Sequence, residues 1–493
     1  MSAAVAPVPS AQLPTPPGSR AARRRPRWGI QTGLVQTRMP AFWLFVIAIV
    51  LGVLYALLFH ISAILTAPAG WLLSVVLMLL FVVPVALVLR WLDQYEREPR
   101  SMVIGAFLWG LLVVPLFAGL GNDVWGVVIT KLYGGEFAYD WSAALTAPVI
   151  EETYKYLGLV LLFLIARTEI DDLIDGFVYG ALIGLGFAVS EDIYYFIFQF
   201  GGDIPAVLQG FFVRVIASGL YGHVLFTGIS GVGLAYFVTR KDEQPFARRL
   251  FVAAALLLTA MAAHFVWNSP FLATLPILLY GTVKGLPFFI FLIALVILAR
   301  RREHATLGDL LAPEVGRAGL TQAEVNLLGD RHARRALQRL VAHSGGGQAK
   351  AALRRLQRED VQLALVVSAV EGDDDARLIQ QRELCRSIRA PLLTLPGVAP
   401  ALGLSAADAT DTQRVLSTPF VAERLVGGRG AWAWTTPDQT AIRTGLAPNL
   451  PLQIVETHGD WLLVRSSSGW YGWTGETYLV PAGLAGARPP APQ

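Results

Sequence analysis

The sequence has little charge and a single cysteine. Cys385 stands alone among 493 residues, which excludes an internal disulfide framework and a cysteine-rich zinc site. Charged residues make up 15% of the chain and hydrophobic residues 54%, and the mean hydropathy is +0.52. These values are too apolar for an ordinary soluble protein and indicate a polytopic protein of the lipid bilayer. The small formal charge of +4 gives no case for a nucleic-acid partner.

Two further sequence signals are missing. The first forty residues are rich in Ala, Pro and Arg and have no apolar core followed by a cleavage site. We therefore expect residues 1–40 to be a disordered cytoplasmic tail and not a signal peptide. The HExxH pattern of zincin metalloproteases is also absent, so ligand spacing alone does not establish a metal site.

Long apolar runs predict eight membrane-spanning helices, since about 20 apolar residues cross a bilayer. A short apolar segment at 206–218 precedes the sixth. The predicted spans lie near residues 42–65, 70–92, 102–130, 142–166, 173–199, 219–239, 249–272 and 274–300. Arg and Lys cluster before the first span, in alternate loops and after the eighth. The positive-inside rule then predicts that both termini are cytoplasmic.

The chain changes character after Arg302. Within residues 303–425, the part from 303 to about 390 carries apolar residues at helical spacing, which predicts short soluble helices. An irregular linker then runs to about 425. Residues 426–482 alternate apolar and polar residues and break at Gly and Asn turns, a pattern typical of a small antiparallel barrel. This part resembles a bacterial SH3-like domain in three places: Gly459-Asp460-Trp461, Trp470-Tyr471-Gly472-Trp473 and Tyr478-Leu479.

The predicted fold class is therefore an all-α polytopic membrane helical bundle over residues 41–302. A soluble helical segment, an all-β SH3-like barrel and a disordered tail at 483–493 follow it. We expect the C-terminal domains to meet a cytoplasmic protein partner.

Carboxylates stand inside two of the predicted spans. Glu151 and Glu152 lie in the fourth, and Glu191 and Asp192 in the fifth. A charged side chain at membrane depth costs roughly 3 to 17 kcal/mol, depending on the scale. Such groups need partners, protons or a metal, and we interpret them as functional.

Helical spacing predicts how the first pair is held. Glu151 and Lys155 are four residues apart in the order that favours an ion pair, whereas Glu152 points about 100° away. We expect Glu151 to be paired and Glu152 to remain reactive. The fifth span carries a small-residue seam for close helix packing, formed by Gly176, Gly180 and Gly184.

Two later spans supply histidines. His223 lies in the sixth, and His264, with Asn268 one turn further on, lies in the seventh. Under the predicted topology the two histidines and the three glutamates of the preceding spans fall within roughly 6 to 15 Å of the outer surface. Five polar groups from four helices are thus predicted to meet in one layer. Arg214 is expected to anchor at the interface or to pair with a carboxylate.

Two chemistries suit such a layer. A glutamate and two histidines can hold a divalent metal such as zinc, with an open position for water and a second glutamate as general base. Alternatively, a glutamate can activate water directly while histidine and asparagine stabilise the oxyanion.

The residues resemble the PrsW family of intramembrane proteases, within the superfamily that includes CAAX prenyl endopeptidases and bacteriocin-immunity proteins. The resemblance covers about residues 40–300. Its motifs are Tyr95-x-x-Glu98-Pro99, Glu151-Glu152-x-x-Lys155, Gly184-x-Gly186 with Phe187-x-x-x-Glu191, Arg214 followed by His223, and His264-x-x-x-Asn268. It implies a multi-pass protease of the bacterial cell (inner) membrane, whose best-known relative cuts an anti-sigma factor on the outward side. The family has been treated as metal-dependent, and a metal-free glutamate mechanism has been argued for the superfamily.

The prediction is an intramembrane endopeptidase that hydrolyses a peptide bond of an anti-sigma-factor-like membrane protein near the outer leaflet. Glu152 is the expected general base, and Glu151 pairs with Lys155 or shares that role. Asn268 is expected to orient His264 or to donate to the oxyanion. The predicted catalytic residues are Glu151, Glu152, Glu191, His264 and Asn268, and the predicted metal ligands are Glu191, His223 and His264.

Two other interpretations stay open at this point. Buried Glu and His suit a transporter or proton relay equally well, although that reading expects two related halves with broken helices, and no internal repeat is visible by eye. A non-enzymatic scaffold that presents the C-terminal domains to a partner is the third.

Overall fold

The computed structural model describes most of the chain, and its residues fall into two compact units that divide between Ala305 and Thr306. The described residues are 33–92, 98–217, 222–316, 320–370, 375–404, 420–428, 430–434, 442–446, 448–466 and 471–482. The predicted tails, apart from residues 33–40, lie outside the described residues, as do Tyr95 and Trp470 of the motifs.

Helices form the first unit, and the tenth of them runs on past Ala305. Their bounds are α1 Pro40–Thr66, α2 Pro68–Leu92, α3 Arg100–Leu108, α4 Val114–Tyr133, α5 Gly135–Ile165, α6 Leu173–Tyr194, α7 Ile204–Phe211, α8 His223–Thr239, α9 Phe246–Asn268 and α10 Ile277–Leu311. Three π-helical segments continue α3, α6 and α7, namely Trp109–Val113, Tyr195–Gln199 and Phe212–Ile216.

Each of the eight predicted spans overlaps a helix. Six helical stretches in the described residues are long and apolar enough to cross a membrane: Pro40–Thr66, Pro68–Leu92, Arg100–Tyr133, Leu173–Gln199, Phe246–Asn268 and Ile277–Glu314. The other two predicted spans are α5, which carries three charged residues in its apolar run, and α8, which has 17 residues. The predicted polytopic helical bundle is confirmed, and both exceptions carry candidate site residues.

Helix α6 lies at the centre of this unit because its glycines let α8 approach backbone to backbone. A Cβ atom added at Gly180 would lie 2.2 Å from the carbonyl oxygen of Thr227, and one at Gly184 would lie 2.2 Å from that of His223. No real Cβ tolerates such a contact, so the predicted glycine seam is confirmed. The close packing fixes the first turn of α8, where His223 stands, against α6.

The second unit contains helices and a sheet. Its helices are α11 Gln322–Gly329, α12 Arg331–Ala369, α13 Ala376–Leu392 and the short α14 Val398–Ala401. Helix α12 is broken at Gly346, whose φ of 74° suits only glycine at low cost. Buried ion pairs join the helices: Arg389 of α13 binds Glu324 of α11 and Asp360 of α12, at 3.1 and 2.8 Å.

The sheet of the second unit is antiparallel, with strand order β3-β2-β6-β5-β4-β1-β7. Its strands are β1 Arg424–Val426, β2 Ala431–Trp434, β3 Ile442–Leu446, β4 Pro451–His458, β5 Trp461–Ser466, β6 Tyr471–Gly475 and β7 Leu479–Pro481. The predicted Gly459-Asp460 turn joins β4 to β5 as a two-residue hairpin, with Gly459 at φ 59°. The described sheet agrees with the predicted all-β class, and the SH3-like likeness stays a prediction.

Candidate active site

A buried lysine lies between the two adjacent glutamates of α5. Glu151, Glu152 and Lys155 are 2%, 0% and 0% exposed. The Nζ atom of Lys155 donates to Glu151 Oε2 at 3.3 Å and to Glu152 Oε1 at 2.8 Å. Lys155 therefore binds Glu152 as well as Glu151, whereas Glu152 was expected to point toward a different partner. Residues three apart also share a helix face, and the lysine stem is long enough to reach both carboxylates.

Two histidines from other helices complete a tight cluster. His264 Nδ1 of α9 lies 3.1 Å from Glu152 Oε1, and His223 Nδ1 of α8 lies 2.9 Å from Lys155 Nζ. One ligand atom from each of the two glutamates and two histidines fits within 4.8 Å of the other three. We call Glu151, Glu152, His223 and His264 the carboxylate–histidine cluster. The structure thus brings together four of the five groups that were predicted to share a layer.

The fifth group, Glu191 of α6, lies one hydrogen bond further out. Its Oε2 atom is 2.8 Å from His223 Nε2 and accepts a hydrogen bond of 2.6 Å from Arg214. Arg214 also donates to Asp192 at 2.6 Å and stacks on the ring of Tyr195. Arg214 is therefore a carboxylate partner, as one of its two predicted roles had it, and Glu191 orients His223.

Two contacts to the glutamates come from residues that the motifs did not include. Asn122 Nδ2 of α4 donates to Glu151 Oε1 at 3.2 Å. Thr227 Oγ1, one turn beyond His223, lies 3.3 Å from Glu152 Oε2. The sequence carried a signal for the first: Asn122 and Asp123 are a polar pair in an otherwise apolar run.

Asn268 does not make the first of its two predicted interactions, the contact that would orient His264. Its side-chain amide donates to the backbone oxygen of Ala143 at 3.2 Å, whereas the partner of His264 Nδ1 is Glu152. Among the described contacts, Asn268 is therefore not what orients His264. Its place at the end of α9 leaves it facing the open space beside the cluster.

Two cavities flank the cluster. The larger, of about 490 Å³, is lined by Glu151, Glu191 and Asn122 among others, and the smaller, of about 310 Å³, is lined by Asp192, Arg214 and His223 among others. Ala143, Tyr195 and Asn268 line both. Neither Glu152 nor His264 is among the residues that line the two cavities. Glu151 is thus the glutamate of α5 that meets the larger cavity.

The π-helical segments border the same cavities. Leu111 and Tyr195 line the larger one, and Tyr195 and Arg214 line the smaller. A π-helical turn widens a helix locally and is frequent at functional sites. Here such turns place side chains from three helices around one opening.

The donor set suits a divalent metal. Two histidines and two carboxylates are common zinc ligands. Among the described residues of this layer, four carboxyl groups are paired with two permanent cations, Lys155 and Arg214. The carboxylate–histidine cluster could therefore hold a metal ion. The geometry favours Glu151 and Glu152 with His223 and His264, in place of the predicted set in which Glu191 was a ligand. Lys155 already binds three of these four residues, so an ion would compete with its ammonium.

Comparisons with known proteins agree with the motifs. Residues 98–299 match the model of a family described as PrsW family intramembrane metalloprotease. A Protease PrsW of Geobacillus kaustophilus (strain HTA426) is 32% identical over 168 residues, which cover 34% of this chain and 65% of that relative, just under two thirds of its length. A Protease PrsW of Bacillus subtilis (strain 168) is 29% identical over 192 residues, or 37% of this chain and 81% of that relative. No solved structure matches the chain.

Proposed function

We propose that this chain, whose residues 98–299 match the model of the PrsW family, is an intramembrane endopeptidase that hydrolyses peptide bonds of membrane proteins near the outer leaflet. The observation that carries the proposal is the carboxylate–histidine cluster, whose ligand atoms from three helices lie within 4.8 Å of one another. It stands at the wall of a cavity of about 490 Å³, a size typical of ligand sites.

Glu151 activates water in this proposal, in place of Glu152, which was expected from the sequence to be the general base. It lines the larger cavity, whereas Glu152 is fully buried behind it. A water molecule on Glu151 attacks the carbonyl carbon of the scissile peptide bond and gives its proton to the carboxylate. The same proton then passes to the leaving amine as the bond breaks, which returns Glu151 to its starting state. Asn122 and Lys155 hold the carboxylate in place for both steps.

The neighbouring residues have supporting roles. Glu152 keeps the charge of Lys155 neutralised and fixes the ring of His264. His223, held by Glu191, presents its ring beside Lys155 and lines the smaller cavity. Asn268 lines both cavities, so its amide is placed to donate to the developing oxyanion.

A divalent metal fits the same residues. When bound, it would supply Lewis acidity toward the carbonyl and toward water, and Glu151, Glu152, His223 and His264 would hold it. The roles of Asn122, Glu191 and Asn268 do not change with its presence, because these residues position the cluster and the substrate.

The proposal includes a location. The arginine-rich loops support a multi-pass protein of a bacterial inner membrane with both termini in the cytoplasm. The anti-sigma-factor-like substrate class follows from the family resemblance. The second unit is then available to a cytoplasmic protein partner.

The test is a map of new amino termini in bacterial membranes that contain the wild-type protein, Glu151→Gln or Glu136→Gln. Glu136 lies on the same helix but is exposed, so Glu136→Gln is a matched control. Cuts that appear with the wild type and Glu136→Gln, and disappear with Glu151→Gln, are expected. Identical maps for the wild type and Glu151→Gln would rule the proposal out.

A further inference from the structure

We infer that the larger cavity binds the substrate as an unwound segment. In this complex the side-chain oxygen of Asn122 accepts a hydrogen bond from a backbone N–H of the substrate, while its side-chain nitrogen donates to Glu151. This inference rests on the proposed function and deepens it. It assigns a binding role to a residue of α4 that the sequence motifs do not contain.

The first observation concerns the two ends of one amide. Asn122 Nδ2 donates to Glu151 Oε1 at 3.2 Å, which fixes the orientation of the amide, since only the nitrogen can face a carboxylate. The other end, Oδ1, is buried and has no hydrogen-bond partner in the described structure. A buried acceptor without a hydrogen bond is unfavourable. A donor group of a bound ligand would supply the hydrogen bond that this oxygen lacks.

The second observation is the shape of the cavity wall. On α5 the lining residues fall on a single helix face, comprising Ala138, Tyr139, Ser142, Ala143, Thr146, Ala147 and Glu151. From Ala138 to Glu151 the helix rises about 20 Å, which is the length of roughly six extended residues. Small side chains dominate this face, so a chain can lie close to it and lead directly to Glu151.

The third observation is the polarity of that wall. Ser142 and Thr146 of α5 line the cavity, and their hydroxyls make no hydrogen bond within the described residues. Within a membrane every backbone polar group needs a partner. A helical substrate already satisfies its own N–H groups, whereas an unwound one presents free N–H and C=O groups. Asn122 supplies an acceptor, and Ser142 and Thr146 supply hydroxyls that donate or accept.

The arrangement couples binding to chemistry. When a substrate N–H occupies Oδ1, the Asn122 amide is held at both ends and Glu151 is held with it. The scissile carbonyl of the same extended segment then lies beside Glu151, because Asn122 and Glu151 line the same cavity. Asn122 is in this account a substrate-binding residue that also positions the proposed base.

The experiment uses the full-length protein and a peptide that spans a cut mapped in the membranes described above. Each backbone amide around the cut is replaced in turn by an ester, which removes one N–H donor. We expect one ester position to lower kcat/KM of the wild type about tenfold, chiefly through KM, as the loss of one hydrogen bond predicts. The same ester should cost Asn122→Leu less than twofold.

Thr130→Val is the matched control, because Thr130 is an exposed polar residue of the same helix; it should respond to the esters as the wild type does. If Asn122→Leu does not fold, Asn122→Ala replaces it in the comparison. The ester scan of the wild-type protein is informative without either variant. Equal responses of the wild type and both Asn122 variants at every ester position, or a wild type insensitive to all of them, would overturn the inference. Membranes without any Glu151-dependent cut would instead remove the proposed function itself.

Discussion

Lys155 Nζ lies 2.8 Å from Glu152 Oε1, and both side chains are 0% exposed. An ion pair so deeply buried is costly to desolvate and stabilises little over an apolar pair, but removing one partner alone is strongly destabilising. We therefore interpret the pair as a device that fixes the Lys155 cation next to Glu151, the glutamate that lines the larger cavity. The two adjacent glutamates thus have different tasks, and the predictions below separate them.

Glu152→Gln should lower the thermal stability of the protein more than Glu151→Gln does. Glu152→Gln removes the shorter contact of Lys155 and the partner of His264, and loss of one member of a buried pair costs about 3 to 5 kcal/mol. Thermal unfolding in detergent, with Glu136→Gln as the exposed control, measures the difference. Equal midpoints for both site variants would contradict the division of roles.

Replacing Lys155 by Met should raise the affinity of the cluster for a divalent metal. The ammonium occupies contacts to Glu151, Glu152 and His223, which are three of the four candidate ligands. Removing the ammonium makes the net charge of the cluster more negative and vacates the space between its ligand atoms. We therefore expect at least about tenfold tighter zinc binding. Equilibrium dialysis with elemental analysis of the full chain tests this. Lys131→Met, an exposed lysine of α4, should bind as the wild type does, and unchanged binding by Lys155→Met argues against the competition.

A larger side chain at Gly180 should disturb the site from a distance. Its Cβ would lie 2.2 Å from the carbonyl oxygen of Thr227, so Gly180→Val forces α6 from α8 and moves His223. Overpacking of this kind costs about 1 to 3 kcal/mol or more. We expect a lower yield of folded protein and weaker cleavage. Gly135→Val is the control because a Cβ there meets nothing within 4 Å; a Gly180→Val protein as stable as this control would refute the packing argument.

The second unit should lose stability as the pH rises through about 7. Burial raises the pKa of Asp360 to about 7 against the opposing effect of Arg389, and the negative charge of Glu324 of α11 adds to the rise. Since the folded pKa exceeds the unfolded value near 3.9, folding favours the protonated acid, and that contribution is full below about pH 4 and is lost by pH 8. Hydrogen exchange of α13 peptides in the full chain measures it.

For Asp360→Asn, the protection of α13, corrected for intrinsic exchange, should not change between pH 6 and pH 8. The exposed control Asp309→Asn should keep the wild-type loss. If the protection of α13 in the wild type instead rises with pH, the stability of the second unit has the opposite pH dependence, and the account is contradicted.

The sequence was sufficient for the parts of the fold that hydropathy and local spacing determine. The apolar runs located all six helical stretches that, among the described residues, are long and apolar enough to cross a membrane. The glycine repeat predicted a close helix contact, which α8 makes with α6. Glu151, Glu152 and the two histidines followed from charge in apolar surroundings, because a bilayer makes such residues conspicuous.

Long-range geometry could not be read in the same way. Spacing along α5 suggested that Lys155 would serve Glu151 alone, whereas the side chain also reaches Glu152. Only the packing of α4 against α5 brings Asn122 to Glu151, and only the cavity decides which of the two glutamates meets a substrate.

The most direct test of the account is the rate at which purified protein in lipid vesicles cuts a mapped membrane substrate when Glu151 is replaced by Gln. The account predicts a loss of at least about 100-fold in kcat, the usual contribution of a general base, while Glu136→Gln keeps the wild-type rate. A Glu151→Gln protein that is folded and cuts at the wild-type rate would contradict it.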